Sequence, residues 1–164
     1  MKAASFPTVN SSFQTEIDLV IQAEQQVSRI LPQIMRSVWS SELSRTLRRA
    51  LAISESHQLG LAQHYQAVPP DTQPVAVTNL EKRIMLALDS GYKGTIRDLS
   101  LTHLTAEIIQ HKLNCYENLV GLGDQHNAHD PRRILGAAIS DEAATGLFLQ
   151  ELVERFESRE LSLL

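Results

Sequence analysis

Four long stretches of this chain carry apolar residues at alternating steps of four and three, and that spacing constrains the fold more than any other feature. The first stretch is the clearest. Phe13, Ile17, Val20, Val27, Leu31, Ile34 and Val38 lie on one stripe of a helix expected over residues 11–39. Such steps form a narrow seam that keeps register with a partner helix, as in antiparallel bundles. Between Val20 and Val27 the step lands on Glu24. A carboxylate taken out of water must be paired, protonated or bound to a metal, so the seam raises a chemical question as well as a structural one. Pro32 interrupts the same helix and is a candidate kink.

The second long helix is expected from Ser41, capped by Ser40 or Ser41, to about Tyr65. Its seam is Leu43, Leu47, Ala50, Ser54, His57 and Leu61, with Leu51 beside it. The proline-rich run QAVPPDTQPVAV at 66–77 cannot be regular helix, and residues 79–91 read as a shorter helix ending at Gly91. A third long helix is expected from Thr95 to Gly121, with Asp98 completing a capping-box-like pair. Leu101, Leu104, Ile108, Cys115 and Leu119 form its apolar face, flanked by Ile109 and Lys112. Asp130-Pro131 opens the last helix, with Pro at its first position. Its seam is Leu135, Ala138, Glu142, Thr145, Leu149 and Leu152, so a second carboxylate sits mid-seam. The fold class is all-α: a ferritin-like antiparallel four-helix bundle with a long crossover containing an extra short helix. Residues 11–164 form its single domain, after a flexible segment at 1–10.

Composition narrows the function classes. The 164 residues are 43% apolar and 21% charged, with a net charge of −4 and no basic cluster interleaved with aromatics. That balance argues against a nucleic-acid partner. A single cysteine, Cys115, allows no intrachain disulfide and suits a reducing compartment. No apolar run approaches the ~20 residues of a membrane span, and the start MKAASFPTVNSS lacks the apolar core of a signal peptide. A cytoplasmic protein with no membrane partner is expected.

The chemistry concentrates in one layer. Glu24, Ser54, His57 and Glu142 fall at mid-bundle height, joined by Lys112, or by His111 after a modest rotation. Two carboxylates and an imidazole amount to half of a di-metal carboxylate site, a donor set that suits iron or manganese. His103, Glu107 and His111 form a second stripe at metal-compatible spacing, for which a solvated helix face is the simpler account. Cys115 lies on an apolar face and is expected to be buried and inert. GLGDQHN at 121–127 follows a helix and not a strand, so it reads as a helix end and loop rather than a phosphate loop. No arrangement supports nucleophilic catalysis. Trp39, Met35, Met85, Leu86 and the terminal LSLL are candidate exposed apolar residues. Trp39 fits either an interface anchor or a cap on the core.

The runs IQAEQQVSRILPQI, SSELSRTLRRALAISES, IRDLSL and NCYENL together resemble the YciE/YciF-type ferritin-like family across residues 11–157. The likeness rests on order, spacing and the long crossover, not on one motif. In that family the first helix carries Ala-Glu-Lys-Gln-Leu; AEQQV matches it and places Glu24 on the acidic position. The resemblance implies a four-helix bundle with an extra short helix, a di-iron-type site, a homodimer and a link to bacterial stress responses. The departures bear on the site. Where the family has a His, an acidic residue and a Gln on the second helix, this chain has Ala50, Ile53 and His57. Where it has Glu-His-Tyr-Glu on the third, this chain has Ile109, Gln110, His111 and Lys112. Glu142 is kept on the fourth, but the family's Asp one turn later is Gly146.

A complete di-metal site needs about four carboxylates, and the seam retains two. One expectation follows from the Glu-to-Lys change: Lys112 stands where a cation would, between Glu24 and Glu142, with His57 and Ser54 supplying hydrogen bonds. No cofactor is then required, and the protein is a non-catalytic structural, stress-related or interaction module with an unidentified protein partner. The alternative is an iron- or manganese-dependent oxidase or ferroxidase keeping one metal on Glu24, His57 and Glu142. An unrelated all-α adaptor is the third possibility.

Overall fold

The computed structural model describes residues 8–65, 75–125 and 131–163. Five helices follow in order among the described residues: α1 (Thr8–Met35), α2 (Ser41–Tyr65), α3 (Val75–Asp89), α4 (Gly94–Gln125) and α5 (Pro131–Ser162). The all-α class and the bundle architecture expected from the seams are both present. The helices α1, α2, α5 and α4 form the four sides of the bundle, each packed on the next, and α3 lies against α4 and α1.

Asp98 shows why the crossover has to be long. Its buried carboxylate accepts the main-chain N–H groups of Trp39 (2.9 Å) and Ser40 (2.6 Å), immediately before α2. Asp98 itself lies near the start of α4. So α2 and α4 begin at the same end of the bundle, and the chain must travel the length of the molecule between them. The segment carrying α3 makes that return.

Several boundaries differ from those expected. α1 begins at Thr8, three residues early, and ends at Met35 rather than near 39. Its last turn tightens, with the N–H groups of Ser37 and Val38 both donating to the Ile34 carbonyl. Asp98 then holds the emerging backbone. Asp98 therefore does not pair with Thr95 as a capping box; α4 starts at Gly94, which leaves Asp98 in the second turn and facing the α1–α2 loop. Gly94 has a φ of 64°, a left-handed conformation that a Cβ would strain. Ser40 does cap α2, its hydroxyl accepting the Leu43 N–H. Val75–Val77 belong to α3 and not to the connection, and Gly121–Gln125 continue α4 and are not a loop. Residues 66–74 and 126–130, with the rest of both expected loops and the Asp130 cap, lie outside the described residues. Pro131 is the first residue of α5, as the Asp-Pro signal implied. α1 continues through Pro32.

The core divides into two apolar clusters. One gathers Val27, Leu31, Ile34, Leu43, Leu47, Leu101, Ile109, Leu149 and Leu152 at the Asp98 end. The other gathers Ile17, Val20, Leu61, Cys115, Leu119, Leu135 and Ala138 at the opposite end. Met35, expected to be exposed, packs against the first cluster. Trp39 is 81% exposed, so it is no cap on the core. Met85, Leu86, Leu161 and Leu163 are also exposed. Among the described residues no helix is long and apolar enough to cross a membrane.

Replacing Asp98 by Ala removes the acceptor of two main-chain N–H groups in a partly buried site. A loss of about 2–3 kcal/mol in unfolding free energy is expected, measured by urea denaturation with an unchanged helical signal in circular dichroism.

Candidate functional site

The gap between the two apolar clusters falls on the same level of all four long helices. On α1 it lies between Ile21 and Val27, on α2 between Ala50 and Leu61, on α4 between Ile109 and Cys115, and on α5 between Ala138 and Leu149. Glu24, Ser54 with His57, Lys112 and Glu142 fill those four gaps. Helical spacing brings them together because each is the polar member of an otherwise apolar stripe.

Their side chains meet. Lys112 Nζ lies 2.8 Å from Glu24 Oε2 and 2.6 Å from Glu142 Oε1. All three groups are shut away from solvent, with side-chain exposures of 1%, 0% and 1%. Lys112 and Glu142 approach within ion-pair distance without the angular alignment of a hydrogen bond, so their attraction is mainly charge on charge. His57 Nδ1 stands 3.1 Å from Glu24 Oε1 and 3.3 Å from Glu142 Oε1, and its Nε2 is 3.2 Å from Asp141 Oδ2. Tyr116 donates its hydroxyl to Glu24 Oε1 at 2.6 Å. The Ser54 hydroxyl bonds the Glu24 carboxylate and lies 3.1 Å from its main-chain carbonyl.

These contacts set the protonation states. Burial alone would push the Glu24 carboxyl up, but the His57 hydrogen bond, the charge and contact of Lys112 and the Ser54 hydroxyl together hold it below its ordinary value. Burial also disfavours the charged form of His57, yet its close contacts with the Glu142 and Glu24 carboxylates, with the Glu24 charge, lift its pKa to about 10. His57 is thus an imidazolium at neutral pH, donating from both nitrogens. The Tyr116 phenol is pushed far up by burial and by the Glu24 charge, so it remains a neutral donor. Two buried carboxylates face two cations, an ammonium and an imidazolium.

The sequence-based expectation named Glu24, His57, Glu142 and Lys112, and the structure brings all four together, with Lys112 rather than His111 in the layer. It did not name Tyr116 or Asp141. Tyr116 was legible in principle, four residues past Lys112 on the same helix. Asp141 sits on the solvent side of Glu142 and carries no periodic signal. The His103, Glu107 and His111 stripe does not converge: His103 faces Glu157, Glu107 pairs with Arg83, and His111 lies beside Cys115. Burial pushes the Cys115 thiol up to about 11, as fits an inert buried cysteine.

A metal is the other occupant this layer invites. Glu24, His57 and Glu142 each offer one ligand atom, all within 4.8 Å of one another. That is the donor set of one ion. A di-metal centre draws carboxylates from all four helices; here α2 offers Ser54 and His57, and α4 offers an ammonium on the two remaining carboxylates. The residues present do not fit a di-metal group.

In three dimensions the chain is similar to the E. coli stress protein YciF, with a TM-score of 0.85 at 19% identity, covering 93% of this chain and 99% of that one. It is also similar to YcfI of Rhodopseudomonas palustris, with a TM-score of 0.81 at 19% identity, covering 92% and 98%. No family model matches the chain, and no curated protein matches it in sequence. The fold is therefore that of the YciF-type ferritin-like bundle over nearly the whole chain. At this identity the likeness assigns no role to any residue.

Two outcomes follow from the layer. Lys112→Met leaves two carboxylates buried with one cation and is expected to lower stability by about 3–5 kcal/mol. Adding Glu24→Gln to Lys112→Met should recover part of that loss, since one unpaired charge disappears with it; denaturation of the four members of the cycle measures the coupling. The second outcome concerns pH. The folded state holds a proton on His57 that the unfolded chain releases near 6.5, so between about pH 6.5 and pH 10 the folded state binds more protons. The contribution is complete below the unfolded pKa and is lost as pH rises through about 10. Glu24 acts in the opposite range: its depressed pKa gives stability that is present above 4.5 and lost as pH falls toward the folded value. Urea midpoints across pH should show both slopes, with the alkaline one reduced in His57→Gln.

Proposed function

We propose that this chain is a YciF-type bundle whose mid-layer is closed by its own cations, serving as a non-catalytic, stress-related structural module. One observation carries the proposal: the Lys112 ammonium within ion-pair distance of both seam carboxylates. It holds the charge that a metal would supply, and it repels any metal approaching the same oxygens. The imidazolium of His57 lies against one oxygen of each carboxylate. Lys112 occupies the side of both carboxylates that a metal would need, and His57, protonated between carboxylates, is not free to act as an imidazole base. The stress-related part of the proposal comes from the likeness to YciF, described as a stress protein. A cytoplasmic homodimer completes it, on the family resemblance.

A second proposal has its own support in the spacing of Glu24, His57 and Glu142. There a single iron or manganese ion displaces Lys112 and the protein is an oxidase or ferroxidase.

Metal content decides between them. The protein is produced with added iron and manganese, purified without an affinity tag and submitted to elemental mass spectrometry. Substoichiometric traces, unchanged in Glu24→Ala, are expected. Near-stoichiometric iron or manganese that is lost in folded Glu24→Ala would overturn the first proposal in favour of the second.

A further inference from the structure

Beside the polar layer α2 and α5 part, leaving a cleft of about 240 Å³. Small side chains make the room: Gly60 on α2 and Ala137 and Ala138 on α5 line it, and a Cβ placed on Gly60 would meet no atom within 4 Å. Leu61 and Leu135 give it apolar walls. Its polar end is formed by His57, Tyr116, Ser56 and Asp141. Among the described residues no lysine or arginine lines it.

The charges at that end do not cancel. Glu24, Glu142 and Asp141 contribute three negative charges within one connected network, and Lys112 and His57 contribute two positive ones. A neutral His57 would only deepen the deficit. The excess negative charge is carried outermost by Asp141, whose side chain is 52% exposed and bonds His57 through one oxygen. A carboxylate accepts several hydrogen bonds, so one such contact leaves it capacity for a cationic donor. An anion entering the cleft would meet Asp141 first and be repelled. The volume lies below the roughly 300–1,000 Å³ of common ligand pockets, which restricts the body of a ligand to about one ring or a short chain.

We propose that this cleft binds a small organic ammonium with an apolar body, the ammonium on Asp141 and the body between Gly60, Leu61, Leu135 and Ala138. The site has apolar walls for the body and a single anionic end for the head. The proposal rests on the metal-free layer, because a metal ligated by Glu24, His57 and Glu142 would displace Lys112 and take the Nδ1 proton of His57, remaking the polar end of the cleft.

The test uses three probes of one shape: 2-phenylethylamine, 2-phenylethanol and phenylacetate. Metal content of the sample is determined first. Each probe is then titrated against the full chain and followed by amide chemical shifts. The amine is expected to shift amides in 56–61 and 134–141, to bind about tenfold more tightly than the alcohol, and to leave phenylacetate without detectable binding. Asp141→Asn should weaken the amine about tenfold, and Gly60→Leu, filling the cleft, should abolish its binding. Absent amine binding, equal binding of phenylacetate, or amine binding indifferent to Asp141→Asn would each overturn the proposal. Asp141→Asn lies at an exposed position and decides the matter even where Gly60→Leu fails to fold. A metal-free sample that does not bind the amine defeats this proposal alone. Stoichiometric metal in the sample defeats the metal-free layer and this proposal with it.

Discussion

Two carboxylates sealed between apolar clusters must be neutralised, and the rest of the bundle is arranged around that requirement. Glu24 and Glu142 come from helices on different sides of the bundle, and neither can be charged without a cation in reach. Lys112 supplies one from the third long helix and His57 a second from the remaining one. Each long helix thus contributes one member of a closed charge set. A rotation or a slip of one turn in any of them would separate opposite charges in a medium of low polarity. The layer acts in the way a polar position in a coiled-coil seam does, selecting one register among several that the apolar stripes would accept. Its net contribution to stability is small beside the apolar burial on either side, and its contribution to uniqueness is large.

A second polar element works at the end of the bundle. Asp98 ties the loop between α1 and α2 to the first turns of α4, and so brings the start of α2 to the start of α4. Once those two ends coincide, a short turn cannot connect α2 to α4. The crossover follows from this geometry, and α3, laid along α4 and α1, covers the side the crossover passes. The two buried acids, Glu24 in the middle and Asp98 at the end, therefore set the rotation and the topology of an otherwise permissive apolar scaffold.

The same layer ties structure to function. A bundle of this shape hosts metal chemistry when carboxylates outnumber the cations of the protein and leave positive charge to be imported. Here Lys112 and His57 bring that charge with the chain itself. What remains uncancelled is displaced outward to Asp141, at the mouth of a cleft opened by Gly60, Ala137 and Ala138. On the two proposals made above, the chemistry of the molecule lies at its flank, in recognition of a small cation, rather than in metal ligation at its centre.

By itself the sequence determined the helices, the seam residues and the identity of the layer. Glu24, Ser54, His57 and Glu142 were legible because each is a polar interruption in a stripe whose period is set by helix geometry, and the Asp-Pro start of α5 was legible because its signal is local. Lys112 was readable as one of two candidates, since it sits at the flank of its stripe and only packing fixes the rotation of α4. Other features had no local signature. Asp98 read as a cap for its own helix, and tertiary structure gave it to the loop before α2. Trp39 read equally as core or surface, and that loop turned it outward. The double duty of His57 depends on three carboxylates from α1 and α5, and the cleft depends on the divergence of α2 from α5. A periodic pattern records which face of a helix is buried; distances between faces, and the charges that meet across them, exist only once the helices are packed.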